Sequence, residues 1–123
     1  METHTSHTGA GSTAPFSTET ARLDECVPTP VVELADDDAF DMRIAPLIKQ
    51  IGGHRVRMLA YSGSIPGPTL RVRQGSGISV RVRNDGDTEA TVHWHGLRLD
   101  NAYDGVPFET QAPVPPTQPT GHR

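Results

Sequence analysis

Cysteine is almost absent from this sequence, because Cys26 is the one thiol in 123 residues. A single cysteine excludes an internal disulfide and leaves the redox compartment undetermined. Aromatic residues make up 5% of the chain and hydrophobic residues 34%, which is little for a packed core. No apolar run approaches the length of a membrane span, and no basic segment followed by an apolar stretch predicts a signal peptide.

The sequence also lacks an excess of positive charge. Eleven Lys and Arg residues stand against fifteen Asp and Glu residues, so the formal net charge is −4. This balance argues against a nucleic acid as partner. Arg81 and Arg83 alternate with valines, which favours a solvated outer face of a strand over a basic binding patch.

Glycine and proline are plentiful, with 12 and 11 residues, and they divide the chain. Residues 1–30 have no hydrophobic period and predict a disordered leader, in which His4 and His7 form a solvated pair. Residues 31–116 carry the domain, and residues 117–123 form a poorly ordered tail. At 123 residues the chain is long enough for one domain at most.

The domain shows period-two alternation and no helical period. Five or six short runs of apolar residues alternate with polar ones, separated by turn residues such as Gly52-Gly53 and Asn84-Asp85-Gly86. Pro46 restricts its strand to a sheet edge or a break. The pattern predicts an all-β sandwich or barrel with too few strands to close, so that an edge is exposed.

The histidines of the tripeptide His93-Trp94-His95 have a spacing that suits a metal site. On a strand at residues 89–94, both imidazoles would point to one side and Trp94 to the other. They would lie about 6–7 Å apart along the strand and could bind one metal ion or two members of a cluster. Taken alone, the tripeptide is weak evidence, since a chain with six histidines often contains it by chance, and Trp94 is a typical core residue.

Residues 61–116 resemble the first cupredoxin domain of a multicopper oxidase of the laccase-like group. Four segments carry the resemblance in the expected order: Gly63-Ser64-Ile65-Pro66-Gly67-Pro68-Thr69-Leu70, Gln74-Gly75 leading into residues 78–84, His93-Trp94-His95-Gly96, and Asp104-Gly105-Val106-Pro107 followed by Thr110-Gln111. The resemblance implies a cupredoxin-like Greek-key β-sandwich and copper as cofactor. Imidazole is a ligand that suits copper well.

The resemblance also implies roles for three residues. His93 matches the ligand of the type 2 copper, and His95 matches a ligand of one type 3 copper, in a cluster that reduces dioxygen to water. Asp104 matches an acidic residue thought to help deliver protons. Its sequence context allows an ordinary Asp-Gly turn residue equally well. The family often works in the periplasm or outside the cell, and the compartment of this chain stays open.

The sequence departs from the family where further copper ligands are expected. A second His-x-His and the distant histidines and cysteine of the blue copper are missing, and His122 is the one histidine after His95. We therefore expect an N-terminal fragment, truncated or frameshifted within its first domain and inactive alone. Dioxygen and an unknown reducing substrate would be partners of the completed enzyme. The alternatives are a small copper- or zinc-binding β module that self-associates through an open sheet edge, and an inert, partly folded fragment.

Overall fold

The computed structural model of the chain describes residues 17–117. Within this range the regular structure consists of β-strands and one 3₁₀ turn, without an α-helix, which confirms the all-β prediction. None of the described residues forms a helix with the length and apolar character of a membrane span. The elements are β1 (Val31–Leu34), β2 (Ala39–Ile51), β3 (His54–Tyr61), β4 (Thr69–Val72), β5 (Ser79–Asn84) and the 3₁₀ turn (Asn101–Tyr103).

The strands form two small sheets. In the larger sheet the order is β3-β2-β5, with β3 antiparallel and β5 parallel to β2. β1 and β4 form a separate parallel pair. Parallel neighbours need crossover connections, so the chain alternates between the two sheets, as sandwich folds with Greek-key connections do. β2 and β3 form the hairpin predicted at Gly52-Gly53, with Ile51 paired to His54.

One cluster of core residues lies on one face of the larger sheet, and Leu47, Ile48 and Ala60 are buried outside this cluster. Met42 and Ile44 alternate along β2 and are buried in the cluster, and Val92 from the segment after β5 packs against them. The partly buried side chains around this cluster are Phe40, Val80, Val82, Ala90 and Trp94. The apolar alternation that predicts β5 therefore marks its inner face, and the arginines between the valines are exposed.

The sequence predicts a sheet edge or a break at Pro46, and β2 continues through it without a break. A proline cannot donate a backbone hydrogen bond, so it needs a position where no partner is required. On this side of β2, pairing with β5 ends at Ile44, and the next donor, Ile48, bonds to the carbonyl of Asp24. Pro46 occupies the gap between these two partners, which is a local edge inside a continuous strand.

Part of the predicted disordered leader is bound to the larger sheet. The amide of Cys26 donates to the Ile48 carbonyl at 2.7 Å, and the amide of Val27 donates to the Gly63 carbonyl at 3.0 Å. Disorder is therefore the wrong prediction for residues 24–27. Their few polar contacts are with distant parts of the chain, which a local composition pattern does not reveal. Residues 1–16 of the predicted leader lie outside the described range.

The segment after β5 follows the sheet without forming a regular strand. The strand predicted at residues 89–94 is wrong, since only Ala90 pairs, in an isolated bridge with Val114. Side chains replace the missing ladder. The side-chain Nδ2 of the fully buried Asn84 donates to the main-chain carbonyls of Thr88 and Val114, at 2.7 and 2.9 Å. The amide of Thr117 donates to the Asn84 carbonyl, which fixes the last described residue beside β5.

Candidate metal centre

His93 and His95 lie side by side on the surface. Their ring centroids are 5.7 Å apart and the ring planes meet at 79°. Both residues are exposed, whereas Val92, which precedes them, and Trp94, which lies between them, pack on the core. The alternation predicted for the two imidazoles is thus present, although the regular strand is not.

A tight turn directly follows the pair. The amide of Leu97 donates to the Trp94 carbonyl at 3.2 Å, and Gly96 has a φ of +82°. A positive φ at the third position of such a turn favours glycine strongly. The turn ends the extended segment at His95 and leaves both rings at its exposed edge.

One ring nitrogen of His93 has a hydrogen-bond partner, and the other has none among residues 17–117. Its Nδ1 lies 2.6 Å from the main-chain carbonyl oxygen of Asp104. A carbonyl oxygen only accepts hydrogen bonds, so Nδ1 carries a proton, and in the neutral ring Nε2 is the nitrogen that presents a lone pair. Metal-binding histidines commonly have this arrangement, in which the second nitrogen donates to a carbonyl or carboxylate.

The loop that supplies this carbonyl is held against the histidine segment. Asp104 ends the 3₁₀ turn, where its amide donates to the Asn101 carbonyl at 3.2 Å. Gly105 follows, is buried, and has a φ of +72°. A Cβ atom at Gly105 would lie 1.8 Å from the Val92 carbonyl oxygen and 3.1 Å from the His93 Cα. The two backbones therefore approach more closely than any other residue type allows.

The Asp104 carboxylate also faces the ring of His93, at a greater distance. Its Oδ1 is 3.6 Å from Nδ1, which is beyond hydrogen-bond length. The side chain is partly exposed, so water can reach it. The main-chain oxygen of this residue, which sequence reasoning missed, makes the direct contact. The Asp-Gly dipeptide indicated a turn there, but no sequence signal indicated which atom would point at the histidine.

The donor set fits copper in part. Two exposed imidazoles, one with its tautomer fixed, are suitable nitrogen ligands. Within residues 17–117 no group of three or more His, Cys, Asp or Glu side chains is close enough to hold a metal ion. Cys26 and His54 are thus not brought to the pair, and His4, His7 and His122 lie outside the described range. The described part of the chain thus provides two adjacent imidazoles and no complete metal site.

Comparison with known proteins identifies the family. The sequence matches the family described as multicopper oxidase over residues 46–123, which is more than half of the chain. The chain belongs to the multicopper oxidase family. The family implies copper as the cofactor and confirms the cupredoxin-like, laccase-like prediction. A solved multi-copper oxidase from Pseudomonas thermotolerans aligns with a TM-score of 0.61 and 37% identity, over 69% of this chain and 20% of that one.

The relatives are much longer than this multicopper oxidase chain. Copper resistance protein A of Pseudomonas syringae pv. tomato is 35% identical over 88 residues, which cover 72% of this chain and 14% of the relative. Laccase-3 of Oryza sativa subsp. japonica is 35% identical over 79 residues, 63% of this chain and 14% of the relative. The chain thus spans about one seventh of the length of these relatives.

An apolar groove of about 570 Å³ lies along the segment that carries the histidines. Val92 and Trp94 contribute one wall, on the side of the segment away from the imidazoles, and residues of β5 contribute another. The remaining lining residues are Ile78, Leu97, Leu99, Tyr103 and Gln111. Leu97, Leu99 and Tyr103 are exposed at its rim, whereas Val92 is buried at its base.

Proposed function

We propose that this chain supplies two copper ligands, His93 and His95, to the oxygen-reducing copper centre of a multicopper oxidase. The arrangement of the two rings carries the proposal: both imidazoles are exposed on one edge, and the free Nε2 of His93 points away from the carbonyl that fixes its Nδ1. Family membership supports copper as the metal. His93 would hold the type 2 copper and His95 one of the type 3 coppers.

The bound coppers would supply the electron transfer that couples oxidation of a reducing substrate to reduction of dioxygen to water. The residues of this chain would bind and orient. Asp104 would fix the ring of His93 through its carbonyl and, through its partly exposed carboxylate, pass protons between solvent and the centre. The reducing substrate is not specified, because none of the proposed residues belongs to a substrate pocket.

The chain alone is proposed to be inactive as an N-terminal fragment. Two imidazoles leave copper short of ligands, and the sequence has no cysteine near paired histidines to form a blue copper site. Purified 123-residue chain with added copper should not oxidise a phenolic dye above the rate of free copper. Turnover that requires His93 would contradict this.

Copper binding itself can be tested with the single tryptophan as reporter. Trp94 lies between the two proposed ligands in sequence, so paramagnetic Cu²⁺ bound there should quench its fluorescence, whereas Zn²⁺, with a filled d shell, should not. His93→Ala and His95→Ala should each raise the Cu²⁺ concentration needed for half-maximal quenching at least about tenfold. His54→Ala, in the exposed hairpin end of β3, is the matched control. Equal quenching in all variants would reject the site and favour an inert fragment.

A second candidate is a non-enzymatic copper or zinc module that self-associates. The exposure of the two imidazoles favours it, because two copies could together offer four nitrogen ligands to one ion. β3 has one unpaired edge in the described sheet, and such an edge is a site for strand pairing between copies. Sedimentation equilibrium should then show dimers that appear with Zn²⁺ and vanish in His93→Ala. A monomer at all metal concentrations would exclude this candidate.

A further inference from the structure

The two unusual contacts of the metal centre come from consecutive residues. Asp104 places its carbonyl oxygen 2.6 Å from the Nδ1 of His93. Gly105, the next residue, presses against the main chain of Val92 and His93. The position of a carbonyl depends on the peptide unit that contains it, and the Asp104 carbonyl belongs to the peptide unit that joins Asp104 to Gly105. The close approach at Gly105 and the hydrogen bond to His93 are thus mechanically linked.

The space at Gly105 decides whether this link can exist. A Cβ there would lie 1.8 Å from the Val92 carbonyl oxygen, and real Cβ contacts are essentially never shorter than 3.0 Å. The obstructing atom is backbone and cannot rotate away. Any other residue would force the loop outward by about 1 Å, and a hydrogen bond lengthened by that much is largely lost. The Nδ1 of His93 would then lose its acceptor.

We propose that Gly105 is a positioning residue for the copper ligand His93: its close contact with Val92 sets the Asp104 carbonyl on Nδ1 and so leaves Nε2 as the ligand nitrogen. This inference rests on the proposed function for its copper consequence, but its structural consequence belongs to the metal-free chain. The main-chain carbonyl of Asp104 orients the ring of His93, whereas the carboxylate of Asp104, 3.6 Å from Nδ1, is too far away to do so. The role is thus separate from the proton delivery assigned to that carboxylate.

The ring tautomer of His93 is the direct readout. In metal-free, ¹⁵N-labelled full-length chain at a pH where the ring is neutral, long-range ¹H–¹⁵N correlation distinguishes protonated Nδ1 from protonated Nε2. Wild type should show protonated Nδ1, and Gly105→Ala should shift His93 to a mixture or to protonated Nε2. Asp104→Asn keeps the main-chain carbonyl and should keep the wild-type tautomer.

A second glycine provides the matched control. Gly75, in the turn between β4 and β5, has a φ of +88°, and no atom lies within 4 Å of the place that a Cβ would occupy. Gly75→Ala therefore carries the same backbone penalty of about 1 kcal/mol without a collision. It should leave the His93 tautomer unchanged. A general loss of order from any alanine at a positive φ would affect both variants, whereas loss of positioning affects Gly105→Ala alone.

Copper affinity gives the second readout. Loss of an outer hydrogen bond to a metal-binding histidine commonly weakens metal binding about 10–100-fold, so Gly105→Ala should move the Cu²⁺ midpoint of Trp94 quenching by about that factor. Gly75→Ala should not move it. If wild type has the expected tautomer but binds no copper, the proposed function fails and the positioning contact stands.

Three results would overturn the inference. Wild-type His93 with protonated Nε2 would do so, and this measurement decides the case even if Gly105→Ala does not fold. A Gly105→Ala variant that folds and keeps both tautomer and affinity would show that the close contact is not needed. Loss of the tautomer in Asp104→Asn would assign the positioning to the carboxylate.

Discussion

At the scale of single residues, Phe108 combines two unfavourable features. Its φ is +64°, a left-handed conformation that suits glycine, and its side chain is 81% exposed. The surrounding loop imposes this conformation. The Thr110 hydroxyl accepts from the Val106 amide at 2.9 Å, and the Phe108 amide donates to the Gln111 carbonyl at 3.0 Å. The backbone strain is thus not offset by burial of the ring.

Replacing Phe108 with glycine should therefore stabilise the protein. A left-handed non-glycine residue costs about 1–2 kcal/mol, and the greater freedom of glycine in the unfolded chain returns about 0.5–1 kcal/mol of that. We expect Phe108→Gly to raise the free energy of unfolding by about 0.5–1 kcal/mol in urea denaturation. Phe108→Ala keeps the strain and removes the ring, so it should match wild type. A less stable Phe108→Gly would mean that the ring has a partner.

At the scale of elements, the end of β5 joins three parts of the chain. The carboxylate of Asp85 binds the guanidinium of Arg43 on β2, the hydroxyl of Thr117 and the guanidinium of Arg83. These partners favour the charged form, with Arg43 the largest cause, and lower the pKa of Asp85 from 3.8 to about 2. The junction thus depends on a carboxylate that must stay ionised.

The sign of the pH dependence follows from the lowered pKa. Asp85 contributes stability that is fully present above its unfolded pKa of 3.8 and is lost as pH falls toward about 2. Asp85→Asn should be less stable than wild type at a pH of about 6, and the difference should shrink toward zero between pH values of about 4 and 2. Urea denaturation across this range measures it. Asp37→Asn, at an exposed turn residue that forms none of the salt bridges among the described residues, is the control for the removal of one negative charge. A difference that does not depend on pH would mean that the contribution of Asp85 is not ionic.

The elements also show what local sequence can predict. The β2–β3 hairpin and β5 follow from alternation and from Gly52-Gly53, because both depend on neighbouring residues. The continuation through Pro46 and the binding of residues 24–27 do not, because each requires knowing which distant segment lies beside β2. The strand expected at residues 89–94 fails for the same reason. Its alternation is real, but a ladder needs a partner strand, and the partner makes only one bridge.

At the scale of the whole molecule, local sequence accounts for only part of the candidate metal centre. Spacing and family resemblance pointed to His93, His95 and Asp104, whose roles remain predictions, and the alternation predicted that both rings lie on one side. The main-chain carbonyl and the Gly105 contact depend on how a loop eleven residues away folds back, which no spacing rule encodes. The fold itself divides into two hydrogen-bonded sheets, β3-β2-β5 and β1-β4, and an irregular segment that carries the proposed ligands.

This division predicts where the molecule responds to copper. Ile48 is fully buried, and both its amide and its carbonyl are hydrogen-bonded to residues 24–26, so exchange of β2 amides should be slow with or without metal. Residues 91–105 have few backbone hydrogen bonds and should exchange fast in the free chain. Copper bound to His93 and His95 would link the residue before the tight turn to the second residue of the turn. It should therefore slow exchange there, measured by hydrogen–deuterium mass spectrometry.

The His93→Ala variant controls for metal bound elsewhere, because it removes a ligand and leaves the sheet intact. It should show the same slow exchange in β2 and no copper-dependent change in residues 91–105. Slowing confined to the exposed hairpin end around His54 would place the metal at the wrong histidine. Slowing of the whole chain, with none specific to residues 91–105, would mean that copper favours the folded state through another site. A change restricted to the histidine segment is the outcome that the division of the fold requires.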